Sequence, residues 1–250
     1  MERSKESMRL ALQNQEFVLH YQPKYDIFLD QITGVEALTR WNSPDRGMIS
    51  PVDFIPVAES NGFIHELGDW ILSEAISQAV SWREAGHQVT VAINVSPHQI
   101  QDSDQVAYFL SNLDSLMQSS GAKTSDIQLE VTEGAAVSAS GLTWLELIKE
   151  RRITIAIDDF GTGYSSLAYL KNLGAHTLKI DKAFVDQAPS NLSDCLLLEA
   201  MVEIGHSFGM VVVAEGVEEE EEEEQVDFLK VVGCDVIQGY FFPSLYLRIK

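Results

Sequence analysis

The stretch TIAIDDFGTGYSSLAYL, Thr154–Leu170, decides how this chain is read. It opens as a short apolar strand, ends on two adjacent carboxylates and passes into a loop punctuated by Gly161 and Gly163. Successive side chains of a strand point to opposite faces. Thr154, Ala156 and Asp158 therefore share one face, and Ile153, Ile155 and Ile157 the other. The branched residues suit packing against covering helices, and the small ones suit a crowded interior that finishes on Asp158. Asp159 has the opposite parity and joins Asp158 only if the strand breaks there. The glycines make such a break easy, since glycine tolerates backbone angles that other residues avoid. Two carboxylates at a strand end repel unless a cation or a proton relieves them; the plain alternative is a solvated acidic turn. No Gly-Lys-Ser/Thr follows, so the loop is not a phosphate P-loop. Asp159-Phe160-Gly161 stands without the other kinase motifs.

Around this stretch, strand-like and helical segments alternate. The strand candidates are Phe17–Gln22, Ile32–Trp41, Thr90–Val95, Ile127–Val131, Thr154–Asp158, Thr177–Ile180, Val211–Glu215 and Val236–Gln238. Helical patterns cover residues 5–14, Gly68–Ala85, Val106–Gln118, Leu142–Glu150, Tyr164–Leu170, Leu192–Phe208 and Gln225–Val232. Eight strands with intervening helices in 250 residues point to an α/β fold of the (β/α)8 barrel type, in one domain over residues 1–250. A doubly wound open sheet is the alternative, without a Gly-x-Gly-x-x-Gly fingerprint to support it.

The balance of 17 Lys and Arg against 38 Asp and Glu gives a net charge of −21. A nucleic-acid duplex or an anionic membrane surface needs basic patches, so neither is expected as a partner. Only Cys195 and Cys234 are present, without metal-ligand spacing, which reads as two thiols in a reducing cytoplasm. The N-terminal MERSKESMRL has no apolar core, so it does not read as a signal peptide, and no apolar run reaches transmembrane length.

The other strands repeat the pattern of the first. Ala92 and Asn94, Gln128 and Glu130, and Thr177 and Lys179 alternate with branched residues; Val213 breaks the pattern by sharing the parity of Glu215. Polar groups thus gather at strand ends, where the active site of a barrel sits. Glu36, Asn94, Glu130, Asp158, Asp159 and Glu215 are all oxygen donors and suit Mg²⁺ or Mn²⁺, whereas zinc usually recruits His or Cys. They exceed the need of one ion, and two ions about 3.5–4 Å apart are the usual arrangement for phosphate-ester cleavage. Lys179 either orients the attacking water or is a structural ion pair inside the carboxylates.

Glu36-Ala37-Leu38 within GVEALTRW resembles the signature of the EAL domain family of cyclic di-GMP phosphodiesterases. The likeness runs from about Gln15 to Phe242 and includes Tyr21-Gln22-Pro23, Asn94-Val95-Ser96, Glu130-Val131-Thr132-Glu133, DDFGTGYSSL, Leu178-Lys179-Ile180-Asp181, Ala214-Glu215-Gly216-Val217-Glu218 and Gln238-Gly239-Tyr240. The resemblance implies a barrel whose first strand runs antiparallel to its neighbours. It implies one ion on Glu36, Asn94, Glu130 and Asp158, a second on Asp159 with Asp158 bridging, and Ca²⁺ as an inhibitor. Lys179 and Glu215 would assist the attacking water, Glu133 would tie down the Phe160–Ser166 loop, and Glu218 would support the site from outside. Gln22, Arg40 and Gln238 would hold the nucleotide. Asp181 would orient Lys179 or a ligand, or merely cap the strand end.

The expected reaction is hydrolysis of cyclic di-GMP to linear 5′-pGpG in bacterial second-messenger signalling. The rival is a catalytically silent cyclic di-GMP receptor, and a third reading is a hydrolase of another phosphodiester. A homodimer with its interface near the loop is also implied, in a cytoplasmic segment of a longer protein carrying sensor or GGDEF domains, which could itself be membrane-anchored. Two departures from the family pattern are the seven glutamates Glu218–Glu224 and the ending FFPSLYLRIK. The glutamates are expected to form a solvated loop and first helical turn.

Overall fold

In the computed structural model, which describes residues 4–162, 167–186, 188, 190–217 and 222–239, eight strands close into a barrel. The chain enters through α1 (Lys5–Gln13), capped by the Ser4 hydroxyl, which accepts from Ser7 N. Strands β1 (Phe17–Asp26) and β2 (Gln31–Ser43) form a long hairpin, and β3 (Gly47–Ile49) folds back on the end of β2. Helices α2 (Pro51–Asn61) and α3 (Ile64–Glu84) follow. Then come β4 (Thr90–Asn94), α4 (Ser103–Ser120), β5 (Ile127–Thr132), α5 (Glu133–Ala136), α6 (Ala139–Glu150) and β6 (Thr154–Phe160). The last third comprises α7 (Leu167–Leu173), β7 (Thr177–Ile180), α8 (Lys182–Val185), α9 (Leu192–Ser207), β8 (Val211–Val217), α10 (Glu222–Val232) and β9 (Val236–Gly239).

The strand order β1-β9-β8-β7-β6-β5-β4-β2 is closed by the pairing of β1 with β2, so the barrel sheet has no open edge. β1 is antiparallel to both β2 and β9, as the sequence resemblance implied, and the other neighbours within the barrel are parallel. The cause is local. Only residues 27–30 join β1 to β2, too few for a parallel crossover. Asp26 shapes that turn by accepting from the amides of Phe28 and Leu29 through Oδ1.

Parity behaves as read. Ile153, Ile155 and Ile157 are buried under the helices, while Ala156 is buried inside. Val213 is also an inward residue: it lines the lower end of the barrel with Thr90, Gln128, Thr154 and Thr177, beneath Glu215. That accounts for its shared parity.

The sequence reading missed β3 and α2. Pro51 and Pro56 had hidden the helix, yet Pro51 sits in its first turn, where the missing N–H costs nothing, and Phe54 and Ala58 are buried. α3 starts at Ile64, four residues before the expected Gly68, and β1 continues past Gln22 to Asp26. The helix expected over Tyr164–Leu170 is seen as Leu167–Leu173; Tyr164–Ser166 lie outside the described residues. α10 begins at Glu222, so the end of the glutamate run is its first turn, while Glu218–Glu221 and everything from Tyr240 onward lie outside the described residues. Cys195 and Cys234 form no disulfide. No described helix is long and apolar enough to cross a membrane.

Candidate active site

β7 ends by carrying Lys179 into the barrel, where its side chain is 1% exposed. Its Nζ lies 2.8 Å from Glu130 Oε2, 2.8 Å from Glu215 Oε1, 2.9 Å from Asp158 Oδ1 and 3.2 Å from Glu36 Oε2. Four strands, β2, β5, β6 and β8, thus converge on one ammonium. Burial alone would lower the pKa of this lysine, but Glu130, Glu36, Asp158 and Glu215 together hold it well above the ordinary lysine value.

The carboxylates divide into two sets by environment. Burial pushes Glu36 up, yet Lys179 and Lys24, with hydrogen bonds from Gln238 and Asn94, bring it down to about 2. Asn94 Nδ2 donates to Glu36 Oε1 at 2.7 Å. Glu130 is fully buried between Lys179 and Lys24. Glu215 behaves oppositely: burial and the charge of Asp158 outweigh Lys179 and push it up to about 7. Asp159 is also raised, by burial first and then by Asp158 and Asp181.

Backbone breaks create this second set. Asp159 adopts a left-handed φ of +54°, and the β6–β7 register shifts between Ile157 and Phe160. That turns Asp159 to the side of Asp158, whose Oδ1 accepts from Asp159 N at 3.0 Å. The β8–β9 register shifts likewise between Glu215 and Val217. Oxygens of Asp158, Asp159 and Glu215 consequently lie within 4.8 Å of one another. Ligand oxygens of an octahedral Mg²⁺ or Mn²⁺ shell lie about 3–4 Å apart, so small side-chain movements bring these three onto one ion. Five carboxylates (Glu36, Glu130, Asp158, Asp159 and Glu215) against Lys24 and Lys179 also leave an excess of negative charge. The donor set therefore fits hard divalent cations.

The remaining expected residues fall around this centre. Gln22 pairs with Glu36 across the hairpin, and Gln22 Oε1 accepts from Gln238 Nε2 at 3.1 Å. Gln238 Nε2 also donates to Glu36, and Gln238 Oε1 is buried with no hydrogen-bond partner among the described residues. Arg40 stands four residues beyond Glu36 on β2, about 13 Å along the strand, and its half-buried guanidinium donates to Thr39 O. Glu133 opens α5 and is buried; its Oε2 accepts from Gly161 N at 3.1 Å, so it grips the start of the loop after β6. Gly161 could not be replaced there without strain, having φ +98° and the side chains of Phe184 and Met201 where a Cβ would go. Asp181 caps α8 through Ala183 N. It makes no hydrogen bond or ion pair to Lys179 among the described residues, so the capping alternative describes its contact. Glu218 lies outside the described residues.

Lys24 and Gln128 were missed. Period two gives their faces, since Lys24 shares that of Gln22 and Gln128 that of Glu130, but not their partners. They join the site to a cavity of about 290 Å³ at the opposite mouth of the barrel, lined also by Thr33, Thr90, Thr154 and His176.

The family model described as EAL domain matches residues 5–244. The bifunctional diguanylate cyclase/cyclic di-GMP phosphodiesterase MucR of Pseudomonas aeruginosa is 40% identical over 236 residues, 93% of this chain and 33% of that protein. The cyclic di-GMP phosphodiesterase PdeR of Escherichia coli is 33% identical over 240 residues, 95% of this chain and 35% of its own length. The solved PaMucR phosphodiesterase, in complex with c-di-GMP, matches with a TM-score of 0.88 at 37% identity, covering 95% of each chain. The chain spans about a third of the length of these curated relatives.

Proposed function

We propose, for a chain that belongs to the EAL domain family, that it is the hydrolytic unit of a longer signalling protein: a metal-dependent phosphodiesterase opening cyclic di-GMP to linear 5′-pGpG. The observation that carries this reading is the intact constellation around Lys179, four carboxylates on one ammonium beside the open trio Asp158, Asp159 and Glu215. Glu36, Asn94, Glu130 and Asp158 would hold one divalent ion, and Asp159 a second, with Asp158 shared. Mg²⁺ or Mn²⁺ held there supplies Lewis acidity toward the phosphate and the attacking water.

The protein's own groups do the rest. Glu215, poised near neutrality, takes a proton from the water, as a general base with a pKa near the working pH should. Lys179 stays charged and steadies the negative charge that grows on the phosphate oxygens. Gln22 and Gln238 face the nucleotide, and Arg40, farther out, meets a phosphate with its planar fork. Glu133 fixes the start of the loop that follows Asp159 and Phe160. The water oxygen bonds to phosphorus as the bond from phosphorus to one 3′ oxygen breaks, and that oxygen takes up a proton, leaving a 3′ hydroxyl and a 5′ phosphate.

The unit works as a homodimer in the cytoplasm, in a protein whose other segments include sensor or GGDEF domains. Relatives about three times as long support the multidomain setting. Leu192, Leu196 and Leu197, exposed on α9, support a self-associating face. Incubating the chain with cyclic di-GMP and Mn²⁺, and following 5′-pGpG by chromatography, tests the activity. Tight binding of the dinucleotide without turnover would replace the enzyme by a silent receptor.

A further inference from the structure

Glu130 is fully enclosed, and its two oxygens face two different lysines. Oε1 meets Lys24 Nζ, and Oε2 lies 2.8 Å from Lys179 Nζ. Lys24 reaches this point from β1, the antiparallel strand, and is itself buried. Its only ion pair among the described residues is the one with Glu130. A second acceptor, Gln128 Oε1, lies 3.4 Å from Lys24 Nζ, and Gln128 is fixed in turn by donating to Thr177 Oγ1 at 3.0 Å. A carboxylate facing one ammonium can offer either oxygen and rotate about its last bond. Held at both oxygens, it cannot.

We infer that Lys24 is a positioning residue for the reaction: by engaging Oε1 of Glu130 it leaves Oε2 to Lys179 and so holds that ammonium among Glu36, Asp158 and Glu215. It touches none of the groups that would meet the phosphate. It also sets the charge of the layer beneath the site, where Glu36 and Glu130 are balanced by Lys24 and Lys179. Loss of Lys24 has two consequences of opposite sign. The site becomes one unit more negative and frees a carboxylate oxygen, which favours a divalent cation. Lys179 meanwhile loses its fixed neighbour, which slows the chemical step. A residue that merely supported the fold would weaken both when removed.

The turnover part rests on the phosphodiesterase reading; the cation part does not. In Lys24→Met, which keeps the stem and removes the charge, Mn²⁺ affinity by calorimetry should be unchanged or up to about tenfold tighter, as one pK unit of lost repulsion compensation allows. Turnover of cyclic di-GMP should fall by about 10–100-fold in kcat, with KM within about threefold. In a Glu130→Gln background, measured at saturating Mn²⁺ because Glu130 is itself a proposed metal ligand, the same substitution should change the residual kcat by less than about threefold, because its route of action is already gone. Weaker Mn²⁺ binding, unchanged kcat, or independent losses in the double variant would each overturn the assignment. If Lys24→Met does not fold, comparing Lys24→Met/Glu130→Gln with Glu130→Gln still decides it. If the unaltered chain shows no turnover, the phosphodiesterase reading fails, and the calorimetric comparison still decides the role of Lys24.

Discussion

Replacing Lys179 by Met removes the cation on which Glu36, Glu130, Asp158 and Glu215 converge, all within 3.2 Å of its Nζ. Removing one partner of a buried ion pair costs about 3–5 kcal/mol, because the other charge is left uncompensated in the interior. Four carboxylates lose their common partner here, so the upper part of that range is expected. For a chain of this size, 1 kcal/mol moves the melting temperature by about 2–4 °C, which sets the fall at roughly 8–20 °C in EDTA at pH 8. The sign with pH is defined: a lysine whose pKa is raised by folding contributes in full below its ordinary pKa and loses the contribution only as pH rises through the folded one. At pH 8 the whole effect is therefore present. Saturating Mn²⁺ should recover a larger part of the lost stability in the variant than it adds to the parent, since a cation then enters the same carboxylates. Turnover should drop by about 10²–10³-fold, the scale of losing one preorganised electrostatic group. Thermal melts by circular dichroism, with and without Mn²⁺, read the first part, and product chromatography the second. A variant melting within about 2 °C of the parent in EDTA would refute the view that Lys179 is the charge holding these strands' ends together.

Glu215, raised from 4.5 to about 7, stays protonated in the folded chain over a range where the unfolded chain has ionised it; its burial therefore destabilises increasingly as pH rises from 4.5 to 7. A divalent ion bound beside Glu215 favours its ionised form, so the Mg²⁺-induced rise in melting temperature should grow from pH 5.5 to 7.5 and then level off; a rise that shrinks over that range contradicts the charge assignment. Gly161→Ala places a Cβ 2.6 Å from Met201 Cε at a left-handed φ and should cost about 2–5 kcal/mol, seen as a lower urea midpoint. Glu133→Ala removes the acceptor for Gly161 N and should cost only about 1 kcal/mol, yet lower turnover more than tenfold; equal losses of stability and activity would mean it does not act through the loop. Ca²⁺ added to the Mn²⁺ enzyme should inhibit competitively with metal, because its larger and looser shell suits the compact trio poorly; stimulation would exclude that geometry.

How much of this was legible in the sequence differs from element to element. Alternation in β6 gave both the buried isoleucine face and the direction of Asp158, because period two is a property of the strand itself. The break that brings Asp159 to the same side was foreseen as a need, with glycine as its means. The structure instead puts the first left-handed residue on Asp159, a residue type that tolerates this region, and only then on Gly161. α2 was hidden because a proline in a helix pattern reads as a breaker, and only a serine in the preceding N-cap position, Ser50, marks Pro51 as a starter, without a side-chain capping bond. Lys24 escaped for a different reason. Its partner Glu130 is 106 residues away, and nothing local distinguishes a lysine that spans a barrel from one that reaches solvent.

The arrangement of charge explains why one end of the barrel is reactive. Glu36 and Glu130, with the two buried lysines, form a lower layer that balances and can be rigid. Asp158, Asp159 and Glu215 stand above it with, among the described residues, no ion pair beyond those of Asp158 and Glu215 with Lys179; burial, with the charge of Asp158, raises the pKa values of Asp159 and Glu215. Held only for stability, such a trio would be a defect, because carboxylates drawn from water in excess of their cations weaken the fold. A pocket that merely recognised a dinucleotide would gain nothing from it either, since phosphates and carboxylates repel. The excess becomes favourable when divalent cations stand between the trio and a phosphate, and the balanced layer below then keeps Lys179 charged and aimed at the same point. Stability is given up at Asp159 and Glu215, beside the point where cation affinity is gained.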